Sequence, residues 1–115
     1  MSETTIDRAT FQALQQTAGA EFVGELVDTF LEEAPAMMAE LRAALASGNA
    51  DGFRRAAHSL KSNSLTFGAL TLGAMARDLE LGGMDRVRAA NAEPLDALAA
   101  EYARVAAALA GMRNA

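Results

Sequence analysis

The sequence predicts an all-α protein: an up-down-up-down antiparallel four-helix bundle with a short extra N-terminal helix. Apolar residues make up 51% of the 115 residues, and they recur at spacings of three and four. Aromatic residues make up 5%, and no segment alternates apolar and polar residues as a half-buried strand would. Short glycine-containing breaks separate the periodic segments, and short links make consecutive helices antiparallel neighbours. The length fits one domain that covers residues 1–115.

The first half of the chain is expected to form a short helix and then a long one. The short helix covers about 7–17, with Asp7 as a suitable N-cap. After a break at Gly19, the long helix covers about 21–47. It is expected to kink at Pro35, because proline removes a backbone hydrogen bond. Its apolar stripe recurs every three or four residues: Phe22, Leu26, Phe30, Ala34, Met37, Leu41 and Leu45.

The second half is expected to contain the remaining three helices. They cover about 50–66, about 69–83 and about 92–112, and the segment 84–91 is predicted to be a loop with at most a helical turn in it. Pro94 falls in the first turn of the last helix, where proline is tolerated. The last helix has an apolar stripe of its own: Leu95, Leu98, Tyr102, Val105 and Leu109.

Composition excludes several classes of function. The chain has no cysteine, so thiolate metal sites and cysteine nucleophiles are ruled out. Its net charge of −5 argues against nucleic acid as a partner. No apolar stretch is long enough to span a membrane, and the N-terminus lacks the features of a signal peptide. We therefore expect a cytoplasmic protein that binds no metal and no cofactor of its own.

One histidine stands on the outward face of the third predicted helix. Seen along the helix axis, His58 points roughly 140° away from the centre of the inner face. Lys61 and Ser62 follow it by three and four residues, so they share its surface patch. The inner face carries apolar and small residues at spacings of 4, 3, 4 and 3: Phe53, Ala57, Leu60, Ser64 and Phe67.

This patch has the composition of a phosphoryl-accepting site. An imidazole is a competent nucleophile near neutral pH, and His58 is accessible to a partner. Lys61 is placed to interact with the negative charge of a phosphoryl group, and the small Ser62 lets a partner's loop approach. Asp78 and Glu80 return to the level of the histidine on the next helix. One of them is expected to bond an imidazole nitrogen, and Glu80 is favoured.

The run HSLKSNSLTFGA, residues 58–69, resembles the signature of histidine-containing phosphotransfer (HPt) domains. That signature has a histidine, two residues, a lysine, a glycine, small residues, and a Gly-Ala pair about ten residues after the histidine. The resemblance extends over nearly the whole chain. It includes a long preceding helix with an internal proline, FLEEAP over 30–35, and a following helix with DLE at 78–80.

The resemblance implies a role for each matching residue. His58 matches the phosphoacceptor and Lys61 the lysine that stabilises the phosphoryl group. Ser62 stands where the family usually has glycine, and Glu80 stands where the family supplies a polar group that bonds the histidine. The resemblance also implies that a receiver partner brings the aspartate and the Mg²⁺, and that this chain has no ATP site or kinase activity of its own.

The implied function is that of a phosphorelay intermediate in two-component signalling. It would carry a phosphoryl group between the aspartates of response-regulator receiver domains, downstream of a hybrid histidine kinase. The alternative is a non-catalytic helical adaptor that docks receivers without accepting phosphate. Docking is expected to use Ser62, Leu65, Val23 and Val27 beside His58, and the chain is expected to be a monomer.

Overall fold

In a computed structural model, which describes residues 5–113, those residues form five α-helices joined by short links and contain no strand. This confirms the predicted all-α class. None of the described helices has the length and apolarity needed to cross a membrane. The helices are α1 (Arg8–Ala18), α2 (Ala20–Ser47), α3 (Ala50–Thr66), α4 (Leu70–Ala89) and α5 (Glu93–Arg113).

The helix ends are set by capping residues that the sequence displays. Asp7 caps α1 because its carboxylate accepts a hydrogen bond from the Thr10 backbone N–H at 3.1 Å. Asn49 caps α3 in the same way, and its side chain accepts from the Gly52 N–H at 3.0 Å. Gly48 ends α2 in the left-handed conformation, φ 74°, which glycine adopts without a Cβ clash. These caps fix the lengths of the links between the first three helices.

The long helices enclose one apolar core. α3 packs against both α2 and α4, and α5 packs against the same two helices, so the four form a closed ring of contacts. α1 packs against α2 and α3. Burying this apolar surface is the main term that favours the folded state. The largest fully buried apolar side chains come from all five helices: Phe11, Val23, Val27, Leu41, Phe53, Leu60, Leu72, Val87, Leu98, Val105 and Leu109.

The face of α2 that enters the core differs from the predicted stripe. Val23 is 1% exposed and Val27 is fully buried, so the expectation that they form an exposed docking patch is wrong. Phe22, which was assigned to the inner stripe, is 52% exposed instead. The inner face follows a 4, 3, 4 spacing that starts one residue later than predicted, at Val23, Val27, Phe30 and Ala34.

The predicted loop over 84–91 is wrong for most of its length, because α4 continues to Ala89. Gly83 has φ 71° and ψ −175°, so the helix is kinked there and then resumes. Met84 and Val87 are buried, three residues apart on one helical face, and their burial favours a helical turn over a loop. α2 in turn continues through Pro35, and the bend expected there stays a prediction.

The α3–α4 turn is fastened to the chain before α1. Gly68 has φ 86°, and its carbonyl accepts a hydrogen bond from the Asp7 backbone N–H at 2.8 Å. A Cβ at Gly68 would lie 2.8 Å from the Asp7 carbonyl oxygen. Only glycine fits this turn without strain, and the turn sets how α3 and α4 are aligned.

Gly68→Ala should therefore destabilise the fold by about 2 kcal/mol, from the left-handed conformation and the backbone clash together. The matched control is Gly111→Ala in α5, where a Cβ meets nothing within 4 Å. That change should be neutral or stabilise by roughly 0.5–1 kcal/mol, because alanine is the better helix former. Urea unfolding of both variants checks this, and equal stabilities would refute the account of the turn.

Candidate functional site

The histidine occupies the outward face of α3, as the sequence predicts. The His58 side chain is 58% exposed, while the opposite face of α3 is buried in the core. Leu60 and Ser64, both fully buried, hold α3 against its neighbours and so fix the direction of the ring. A partner protein can therefore reach the imidazole without any unfolding of the bundle.

Glu80 of α4 binds one nitrogen of that ring. Its Oε2 lies 2.9 Å from His58 Nδ1, and its side chain is 18% exposed. An ionised carboxylate only accepts hydrogen bonds, so this contact favours the proton on Nδ1 and, in the neutral ring, a lone pair on Nε2. The expected contact is confirmed for Glu80, whereas Asp78, the other candidate, is exposed.

Lys61 reaches the same carboxylate from α3. Its Nζ lies 2.9 Å from Glu80 Oε1, and its side chain is 23% exposed. Oε1 lacks a directed hydrogen bond, so this contact is a close ion pair rather than an aligned hydrogen bond. Glu80 thus uses one oxygen for His58 and the other for Lys61, and it joins the three side chains into one cluster.

The two partners keep Glu80 ionised. The Lys61 ammonium first, and the hydrogen bond from His58 second, hold the pKa of the Glu80 carboxyl below its ordinary 4.5, although partial burial opposes this. An opposite charge at close range favours the ionised form of an acid. At neutral pH the carboxylate is therefore available to fix the imidazole.

The predicted docking residues of α3 are accessible. Ser62 is exposed on the same face as His58, and Leu65 is 42% exposed. Leu65 lies across Gly73 of α4, where a Cβ would come within 2.6 Å of its Cδ2 atom. A docking role for Ser62 and Leu65 stays a prediction.

Two exposed residues beside the site, Arg55 and Leu81, are not among those that the sequence analysis selects. Arg55 is exposed one turn before His58, and it forms no ion pair with any residue in the range 5–113. Its spacing of three from the histidine is the signal that would have found it. Leu81 follows Glu80 directly and is 71% exposed. That it lies outside the buried face of α4 becomes clear only from the way α4 packs against α3 and α5.

The site has no cluster of metal ligands among the residues that the structure describes. No group of three or more His, Cys, Asp or Glu side chains lies close enough to hold an ion in that part of the chain. Glu80 is the acid that touches the histidine, and both of its oxygens face cationic or N–H groups.

His58 is the sole histidine, so its ring ¹⁵N signals identify themselves in labelled protein. We expect the neutral ring to be the Nδ1–H tautomer in the wild type and a mixture in Glu80→Ala, because the acceptor is gone. Asp78→Ala, two residues away, is the control and should leave the tautomer unchanged. An Nε2–H tautomer in the wild type would contradict the assignment.

The lowered pKa of Glu80 also determines the direction in which the stability of the fold changes with pH. Its interactions stabilise the fold above pH 4.5, and that contribution is lost as the pH falls through the lowered pKa. In Lys61→Ala the carboxyl of Glu80, followed by ¹³C NMR, should titrate at a higher pH than in the wild type.

A model of the family described as Hpt domain matches residues 25–108, a range that includes His58, Lys61 and Glu80. A search of curated proteins gives no match. Among solved structures, the chain is similar to the crystal structure of histidine-containing phosphotransfer protein B (HptB) from Pseudomonas aeruginosa PAO1. The two are 29% identical, with a TM-score of 0.85, over 98% of this chain and 97% of that one.

Proposed function

Because the chain belongs to the Hpt domain family, we propose that His58 is the residue on which it carries a phosphoryl group. Family and fold give the chain a histidine phosphotransfer role in phosphorelays. The observation that supports His58 as the acceptor is the bond between its Nδ1 and Glu80 Oε2, 2.9 Å long, on an otherwise exposed ring. That bond engages Nδ1, so Nε2 is the ring nitrogen left to act as the nucleophile.

The proposed step is an exchange between two phosphoryl acceptors. The lone pair of His58 Nε2 attacks the phosphorus of a partner's phosphoaspartate, the P–O bond breaks, and the aspartate carboxylate leaves with the electron pair. The phosphorylated ring keeps its Nδ1 proton and is positively charged. Glu80 faces that proton and compensates the charge, much as a buried aspartate does for a catalytic histidine.

Lys61 stabilises the negative charge of the transferred phosphoryl group. Its ammonium rests on Glu80 Oε1 while His58 is unmodified, and it lies one helical turn from the ring. When a phosphoryl group occupies Nε2, its oxygens give Lys61 a second anion to bind. A change in the conformation of the Lys61 side chain is enough for this contact, and the helix does not have to move. In the reverse direction the aspartate carboxylate attacks the phosphorus and the P–N bond to His58 breaks, so the same groups can carry the transfer either way.

The partners are proposed from the same scheme. We expect response-regulator receiver domains to bring the aspartate and the Mg²⁺, and a hybrid histidine kinase to supply the phosphoryl group, with Ser62 and Leu65 in the contact surface. The chain is proposed to be a cytoplasmic monomer and a single domain over 1–115. Its four long helices are proposed to run alternately up and down, with α1 as a short additional helix.

Phosphotransfer itself tests the proposal. Purified protein is incubated with a phosphorylated receiver and Mg²⁺, and acid-labile, base-stable phosphate is measured on the chain. We expect the wild type to be labelled and His58→Gln to remain at background, because amide nitrogen is not a nucleophile. Equal labelling of both would refute the proposal. A wild type that binds the receiver and is never labelled would favour the adaptor instead.

Lys61→Ala should slow the same transfer by roughly 10- to 100-fold, the effect of losing one charge-assisted contact to the phosphoryl group. The matched control is Arg54→Ala. Arg54 also lies within one turn of His58, but its guanidinium is held by Asp51 at 3.0 Å. Rates that fall equally in both variants would point to a general charge effect and would remove the specific role of Lys61.

A further inference from the structure

We propose that the receiver docks a helix with basic residues into the groove between α2 and α3. This inference rests on the proposed transfer at His58. The groove has a volume of about 720 Å³ and runs along α2 from Glu33 to Ser47. On α3 it reaches Arg55 and Ser59, the residue that directly follows His58. A segment seated in it therefore lies beside the phosphoacceptor.

The size and floor of the groove fit a helix. From Glu33 to Ser47 the groove is about 21 Å long, at 1.5 Å per residue, which is the length of a four-turn helix. An amphipathic helix laid in a groove between two helices is a common mode of recognition. Small side chains let its backbone approach closely, and the floor is lined by Ala36, Ala43, Ala44 and Ala56.

The charged side chains that line the groove favour a partner helix with basic residues. Glu33 and Glu40 lie two turns apart on the α2 wall, and neither forms an ion pair with another residue in 5–113. The only lysine or arginine of α2 is Arg42, and its guanidinium is bound by Asp96 of α5 at 2.9 Å. A helix with lysine or arginine along one edge would complement this wall.

The opposite wall orients the partner. Arg55, on the α3 wall beside His58, offers a cation to the anionic centre that carries the phosphoryl group. A receiver therefore meets acids on the α2 side and a cation on the α3 side, and this asymmetry favours one orientation of its helix. Complementary charges of this kind steer encounter and fix register more than they add affinity.

The test measures transfer at varied receiver concentration. Receiver domains encoded in the same genome are phosphorylated with acetyl phosphate, and the one that labels His58 fastest is used as the probe. Reversing both acids, with Glu33→Lys and Glu40→Lys together, should raise the half-saturating receiver concentration about tenfold or more. The rate at saturating receiver should not change, since neither residue belongs to the His58–Lys61–Glu80 cluster.

The control reverses two acids that lie outside the groove, Asp85→Lys with Glu93→Lys, and so changes the net charge by the same amount. It should leave the half-saturating concentration within about twofold of the wild type. Equal shifts in the two double variants, or no shift in the groove variant, would overturn the docking proposal. Labelling of all variants by a small-molecule phosphoramidate checks His58 separately. A wild type that no receiver labels would instead overturn the proposed function.

Discussion

The Glu80 carboxylate is held between two side chains of the neighbouring helix, and the chemistry of the site depends on that sharing. One oxygen lies 2.9 Å from His58 Nδ1 and the other 2.9 Å from Lys61 Nζ. A neutral amide in its place would bond the ring but would neither attract the lysine nor balance a positive ring. The arrangement requires α3 and α4 to be correctly aligned, and the glycine turn at Gly68 provides this alignment.

The sequence predicted the helical class, the bounds of α3 and the outward position of His58, because periodic burial and caps are local signals. Glu80 was found by counting residues across the turn, which works when the link is short. Val23 and Val27 were misplaced because apolar residues on adjacent positions of α2 allow two inner faces. Which face is buried depends on neighbouring helices. The continuation of α4 beyond Gly83 was missed for the same reason, since Met84 and Val87 are helical through tertiary packing.

The charged residues around His58 differ between the side toward α4 and the side toward α2. The side toward α4 holds the ring and the Lys61 ammonium, and the side toward α2 presents Glu33 and Glu40, which form no ion pair within residues 5–113, beside small residues. In the proposed scheme, phosphoryl transfer and partner recognition therefore use different residues around His58. This separation allows recognition to change by substitution along α2 while the phosphoryl-accepting cluster stays intact.

We propose that Glu80 selects which nitrogen of His58 accepts the phosphoryl group. The direct measurement is ³¹P–¹⁵N correlation NMR on ¹⁵N-histidine-labelled protein after phosphorylation, which is unambiguous because the chain has one histidine. We expect a coupling from phosphorus to Nε2, with Nδ1 protonated. A phosphoryl group on Nδ1 would contradict it, because that nitrogen would then have to leave the Glu80 carboxylate.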